Sequence, residues 1–290
     1  MQEKLNRKYF LFMMPAIIMV IVLRFFPIGN AFRMCLYDWN GYSQEMTFVG
    51  LENFVEIFKD DYLWKALINT LMYAFGITIV KNILGLVLAL FVNIRFKGRD
   101  VVRAIIYLPI MISGFIMGRI MYYFYQYDGG IFNEIITIFG GEPIYWMETG
   151  LQAVLVIIMT SSIIHVGSTM LTYLAGLQRI PHELRESARL DGANKWNEFW
   201  YITLPLLNPA IISSVILNLI ASFKIYDIIT ALSGGGPDGG SQSLTMLISK
   251  YYFGHNRAGY AAAMAMIFFF LVVIVTLPIN KYLSSKKVQF

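Results

Sequence analysis

Ser214, Asn218, Ser222 and Tyr226 recur every four residues in an otherwise apolar stretch, so on a helix they share one face. Hydroxyls, an amide and a phenol on one line can both donate and accept hydrogen bonds and present an aromatic surface, which suits a hydroxyl-rich ligand. The same groups would equally serve to bond neighbouring helices, at about 0.6 kcal/mol each inside a membrane. Other chemistries find fewer residues to work with. His165, His182 and His255 are scattered, Cys35 stands alone, and the longest acidic cluster is Asp60-Asp61, so no metal site, disulfide framework or acid–base pair is expected, and no catalytic residue. His165 reads as a packed polar residue and the sixteen methionines as adaptable apolar filling. Gly234 to Ser241 (GGGPDGGS) lacks the Lys-Ser/Thr of a nucleotide loop and carries a proline, and reads as a flexible outer turn. Gly114 and Gly118 form a GxxxG suited to close helix packing.

The elements that carry these residues must sit in lipid. Of the 290 residues, 57% are hydrophobic and only 14% charged, about half the charged share of a soluble domain. A bilayer core takes about 20 apolar residues of helix. Windows free of charge run from Thr149 to Gln178, Phe199 to Phe223 and Ala258 to Asn280. Three more are interrupted once, by Arg24, Lys81 and Arg119, each with enough Leu, Ile, Phe and Val to offset about 3 kcal/mol of insertion cost. The sequence therefore predicts an all-α membrane protein with six transmembrane helices, at about 9–31, 66–94, 104–127, 150–177, 204–228 and 259–281, in one domain over 1–290. Arg33, Arg119 and Lys224 are expected near the outer interface. Arg24 and Lys81 are deeper and call for a partner, a water-filled cavity or an anionic ligand, with bonding between helices or subunits as the expected role.

Loop charges set the orientation. Fourteen Lys and Arg, from Lys4, Arg7 and Lys8 through the loops after spans two and four to Lys281, Lys286 and Lys287, fall on one side, against Lys59, Lys65, Lys250 and Arg257 on the other. The richer side is cytoplasmic by the positive-inside rule, with both termini there, so the net charge of +5 reflects topology and no nucleic-acid partner is expected. The first apolar run continues past Arg24 without an A-x-A-like site and reads as a retained anchor. Leu51, Phe54, Val55 and Phe58 beside Glu52, Glu56 and Lys59 predict an amphipathic helix on the outer membrane surface, acting as a cap.

One cytoplasmic loop, 179–203, has a composition that connection alone does not require. Pro181 suits a first helical turn, Glu183 and Glu186 favour its N-terminal half, Arg185 and Arg189 its end, and Gly192 can take positive φ where it stops. The prediction is a short helix from Pro181 to Leu190, a sharp turn, then a second apolar segment with Trp196, Phe199 and Trp200. Ile180, Leu184 and Ala188 at i, i+4 and i+8 form an apolar stripe that is bare unless another subunit covers it.

Glu186, Ser187 and Ala188, then Gly192 after three residues, then Ile202, Leu204 and Pro205 resemble the EAA loop of binding-protein-dependent ABC importer permeases, with serine where the family more often has alanine. The segments FVGLENF (Phe48 to Phe54) and GGGP (Gly234 to Pro237) extend the likeness to the sugar-permease branch typified by maltose and glycerol-phosphate systems. The resemblance implies a coupling helix between spans four and five that docks into a separate cytoplasmic ATPase through Leu184, Glu186, Ser187, Ala188, Arg189, Asp191 and Gly192. In it, Glu186 would pair with a basic residue of the ATPase and Trp196 would anchor the loop on its own membrane helices. It also implies a second homologous permease subunit forming a heterodimer, two ATPase subunits that bind the ATP and Mg, and an extracellular or periplasmic solute-binding protein docking near Gly234. The setting would be a bacterial cytoplasmic membrane, and the cargo a carbohydrate passing Ser214, Asn218, Ser222 and Tyr226. The competing readings are a membrane-embedded transferase, which should show clustered Asp, Glu or His, and a secondary transporter, which should show inverted halves with a mid-membrane acid.

Overall fold

A computed structural model describes residues 2–285, with backbone alone for residues 2–9 and 11. Lys286 and Lys287, and the side chains of Lys4, Arg7 and Lys8, lie outside the described residues. The chain is all-α and carries helices long and apolar enough to cross a membrane. Helix α1 (Gln2–Val20) runs through one π-turn (Ile21–Phe25) into α2 (Phe26–Met34). A two-residue antiparallel pair, Tyr37 opposite Phe48, precedes α3 (Glu52–Phe58) and α4 (Asp61–Asn93). Then come α5 (Arg99–Tyr107), α6 (Gly114–Phe124), α7 (Ile131–Ile138), α8 (Gly150–Gln178), α9 (His182–Leu190) and α10 (Lys195–Glu198). The chain ends with α11 (Leu204–Leu206), α12 (Asn208–Phe223), α13 (Asp227–Leu232), α14 (Leu244–Ser249) and α15 (Ala258–Ser284).

Four stretches are continuous candidate spans: Phe12–Met34, α4, α8 and α15. Two of the expected spans are not straight. Over 104–127 the chain forms Arg99–Met111 and Gly114–Phe124 at 101° to one another, because Ile112 and Ser113 take extended ψ values near 140° where a helix needs a negative one. At 204–228, Lys195–Leu206 meets Asn208–Phe223 at 65°, with Pro205 and Pro209 removing N–H donors on either side of the bend. The fifth expected helix also stops at Phe223, before Tyr226. The described residues thus give four continuous spans, or up to six if each bent pair is one span.

Within the single domain expected over 1–290, the described residues group into two compact units. One takes the chain up to Leu63 with Leu247–Phe270, the other Trp64–Met246 with the chain from Leu271 on. In the first unit, α3 is the helix expected around Leu51 to Lys59, and its apolar stripe lies outward. Asn53 and Ile57 face inward while Leu51, Val55 and Phe58 are exposed. Asn53 Nδ2 donates to the carbonyls of Cys35 (3.0 Å) and Tyr37 (3.1 Å), which fixes the helix by satisfying backbone acceptors that would otherwise be buried unpaired. The Arg257 guanidinium forks onto the Glu56 carboxylate at 2.6 and 2.5 Å, and Tyr251 donates to Asp60 Oδ2 at 2.6 Å. Burial and the adjoining carboxylate push the Tyr251 phenol up to about 12, so it stays a donor.

In the second unit, α8 is the most buried span, opened by a capping box in which Thr149 and Gln152 bond each other's backbone N–H. One apolar cluster gathers Tyr73, Ile157 and Ile229, and another Ala89, Met170, Tyr173 and Leu207. The GxxxG of α6 packs on α13: a Cβ added at Gly118 would lie 2.7 Å from the Ala231 Cβ. The GGGPDGGS segment is no loose turn. Ser241 is fully buried, Asn69 Nδ2 donates to the carbonyls of Gly240 and Gln242, and Tyr73 Oη donates to that of Ser241 at 2.8 Å. Its glycines let backbone approach backbone, so a segment that reads as flexible is held by α4.

Candidate functional site

Two places bring the candidate residues together. The first is the segment that follows α8. Helix α9 spans His182–Leu190, one residue shorter than predicted, with Pro181 before it. Its end is a Schellman motif: Gly192 N–H bonds the Arg189 carbonyl at 3.1 Å and Ala193 N–H that of Ala188 at 2.9 Å, with Gly192 at φ +85°. Asn194 then caps α10 by accepting from Asn197 N–H at 2.8 Å. Leu184, Glu186, Ser187, Arg189, Asp191 and Gly192 are exposed and Ala188 is half-buried.

Three side chains differ from the expectations. Ile180 is buried in the cluster with Leu177 and Leu207, so the bare stripe begins at Leu184. Trp196 is 68% exposed and meets Trp200 edge-on at 5.6 Å, so it does not anchor the loop. The anchor is Glu198, which the sequence reading passed over. Its buried carboxylate accepts from Arg189 Nε at 2.9 Å and Nη2 at 3.3 Å, with Arg185 Nε at 3.9 Å. This clamp folds α10 back against α9 and occupies an arginine expected to face outward. Beneath it an apolar groove of about 550 Å³ runs between Thr172 and Gly176 of α8, Ile180, Leu184, and Leu206 and Ala210.

The second place lies among α4, α8 and α12. Asn82 Oδ1 accepts from Tyr173 Oη (2.6 Å) and Ser214 Oγ (2.7 Å), and Asn218 Nδ2 donates to Thr169 Oγ1 (2.9 Å) and Ser214 Oγ (3.2 Å). Ser214 and Asn218 therefore spend their hydrogen bonds on neighbouring helices, and the four-residue stripe divides. Ser222 and Tyr226 line a polar cavity of about 200 Å³ with Lys81, Ser161, His165 and Asp227. His165 Nδ1 donates to the Ser161 carbonyl at 3.0 Å, which leaves Nε2 as an acceptor. Lys81 is only 6% exposed, and among the described residues its ammonium makes no hydrogen bond or ion pair, so the expected bond between helices is not formed within the chain. Arg24 is exposed on a span that buries none of its residues. Among the described residues no group of three His, Cys, Asp or Glu could hold a metal ion. Asn82 and Tyr173 were missed. Asn82 was detectable as the amide beside Lys81 in an apolar run, whereas nothing local marks Tyr173.

Comparison with known proteins bears on both places. The family described as binding-protein-dependent transport system inner membrane component matches residues 81–288, which takes in the hydrogen-bond ladder around Asn82, Lys81 and the α9–α10 segment. The chain is 35% identical over 243 residues to the trehalose/maltose transport system permease protein MalF of Thermococcus litoralis, covering 84% of this chain and 82% of that one. It is 31% identical over 267 residues to the multiple sugar-binding transport system permease protein MsmF of Streptococcus mutans, covering 89% and 90%. A bacterial ABC transporter that imports the acidic polysaccharide alginate has a chain of the same fold, with a TM-score of 0.84, 23% identity and 98% of both chains covered.

Proposed function

We propose, from the premise that this chain belongs to the family of binding-protein-dependent transport system inner membrane components, that it is one permease subunit of an ABC importer for a carbohydrate, an oligosaccharide in particular. The sugar-transport permeases to which it is similar over more than four-fifths of its length support the cargo class, and favour it over a membrane-embedded transferase or a secondary transporter. The observation that carries the mechanical reading is the exposed, clamped helix α9. It ends in a positive-φ glycine, it is tied to α10 by Glu198, and its Leu184, Glu186 and Ser187 are exposed.

In this reading α9 sits in a cleft of a cytoplasmic ATPase through Leu184, Glu186, Ser187, Ala188 and Asp191, and closure of two ATPases pushes α9 and α10 as one piece into the bent pair that leads to α12. This chain holds no ATP or Mg; those belong to the ATPase subunits. Six spans with both termini cytoplasmic account for the distribution of Lys and Arg. The unburied first span, with Arg24, is the natural seat for a second permease subunit. An external binding protein delivers the sugar near the Gly234 segment, and Ser222 and Tyr226 line its path while Ser214 and Asn218 hold the helices beside it.

The test is isolation and reconstitution. The permease should purify with a second permease and two ATPase subunits. In proteoliposomes with the binding protein, the assembly should take up a saccharide from a panel of neutral and acidic oligosaccharides only when ATP is supplied. A functional monomer, or uptake driven by an ion gradient without ATP, would refute the proposal.

A further inference from the structure

The Lys81 cavity combines three features that a helix–helix contact does not need. The lysine is 6% exposed, it borders a cavity of about 200 Å³ that hydroxyl, imidazole and carboxylate groups help to line, and its ammonium forms no hydrogen bond or ion pair among the described residues. Lys224 adds a second cation to the lining and Asp227 a single anion, and neither enters an ion pair among the described residues. The charged groups in the lining therefore sum to one excess positive charge, and of them Lys81 is the buried one, where an unpaired ammonium is costly. Hydroxyls of Ser161 and Ser222, and the acceptor nitrogen of His165, surround the same space. A bare inorganic anion would leave these acceptors idle.

We propose that this cavity is a subsite for the carboxylate-bearing ring of an acidic saccharide, with Lys81 as its counter-ion. The proposal rests on the carbohydrate reading above and narrows it. Charge selects the carboxylate, and the mixture of donors and acceptors selects a carrier with hydroxyl groups. Size selects a single ring, since the space is smaller than the 300 Å³ at which drug-sized ligand pockets roughly begin. A longer saccharide would place one residue here and continue beyond. Lys81 holds the carboxylate, His165 Nε2 accepts from a ring hydroxyl, and Ser222 and Tyr226 meet the ring from α12 and the segment after it.

The experiment uses the whole solubilised importer without its binding protein, and measures binding of digalacturonate and maltose by saturation-transfer NMR. Digalacturonate should bind the parent complex. In Lys81→Met its affinity relative to maltose should fall about tenfold or more, the scale set by losing a hydrogen bond to a charged group, and Lys81→Arg should retain most of it. Size-exclusion elution reports whether the variants stay assembled. Absence of digalacturonate binding, an unchanged affinity ratio in Lys81→Met, or subunit dissociation in that variant would each overturn the subsite. Loss of the subsite with maltose still bound leaves the carbohydrate reading intact. A complex that neither binds nor transports any saccharide sinks both.

Discussion

Replacing Gly192 isolates the conformational requirement of the α9–α10 segment, because space plays no part there. No heavy atom lies within 4 Å of a Cβ added at Gly192, so any penalty comes from φ alone, which is +85°. An L-residue with a side chain costs about 1–2 kcal/mol in that region, asparagine less, and a β-branched residue more. A penalty of that size shifts the balance between the closed Schellman turn and a frayed end by roughly 5–30-fold. The amide of Ala193, bonded to the Ala188 carbonyl at 2.9 Å, reports that balance directly. Hydrogen exchange at Ala193 should therefore quicken in the order Gly, Asn, Ala, Val at position 192, and saccharide moved per ATP hydrolysed in proteoliposomes should fall in the same order while membrane insertion is unaffected. If Asn were as harmful as Val, or if Val kept full coupling, the left-handed turn would not be what transmits the push.

Glu198→Gln removes the charge that holds Arg185 and Arg189, so trypsin should cleave after both arginines faster in the isolated permease; an unchanged digestion rate would show that the clamp does not order α9. Asn82→Leu leaves the Tyr173 and Ser214 hydroxyls without their acceptor and should lower stability by about 1–2 kcal/mol, read as earlier thermal aggregation in detergent. The Arg257 guanidinium hydrogen-bonded to Glu56 holds its carboxyl below the usual 4.5. The stabilisation from that pair is thus complete above pH 4.5 and is lost as pH falls through the depressed folded value. The melting difference between parent and Glu56→Gln should be constant from pH 7 to about 4.5 and shrink only below it, and a difference that vanished already near pH 6 would contradict the assignment.

Helix α9 was legible to within a residue because its signals are local: proline before it, acids in its first turn, glycine after it. The long apolar helices were legible because lipid requires unbroken hydrophobic runs. Their bends were not. Hydropathy counts apolar residues without recording direction, so the extended Ser113 and the break after Phe223 left no mark in the window. Polar contacts that fix the inner faces were not legible either. On α3 the apolar stripe of Leu51, Val55 and Phe58 could be read, but not the amide of Asn53, which turns inward to bond two carbonyls that lipid cannot satisfy. Glu198 escaped notice because its partners lie nine and thirteen residues back across a turn whose geometry must be known first.

The ladder centred on Asn82 ties three helices. Its single amide oxygen serves α8 through Tyr173 and α12 through Ser214, so one side chain of α4 holds both helices. Helix α12 is held at two points, by Ser214 on Asn82 of α4 and by Asn218 on Thr169 of α8, so a turn about its own axis has to break both. Any rotation of α12 is therefore opposed at a small polar seam, where each broken bond leaves a buried partner with no water to replace it.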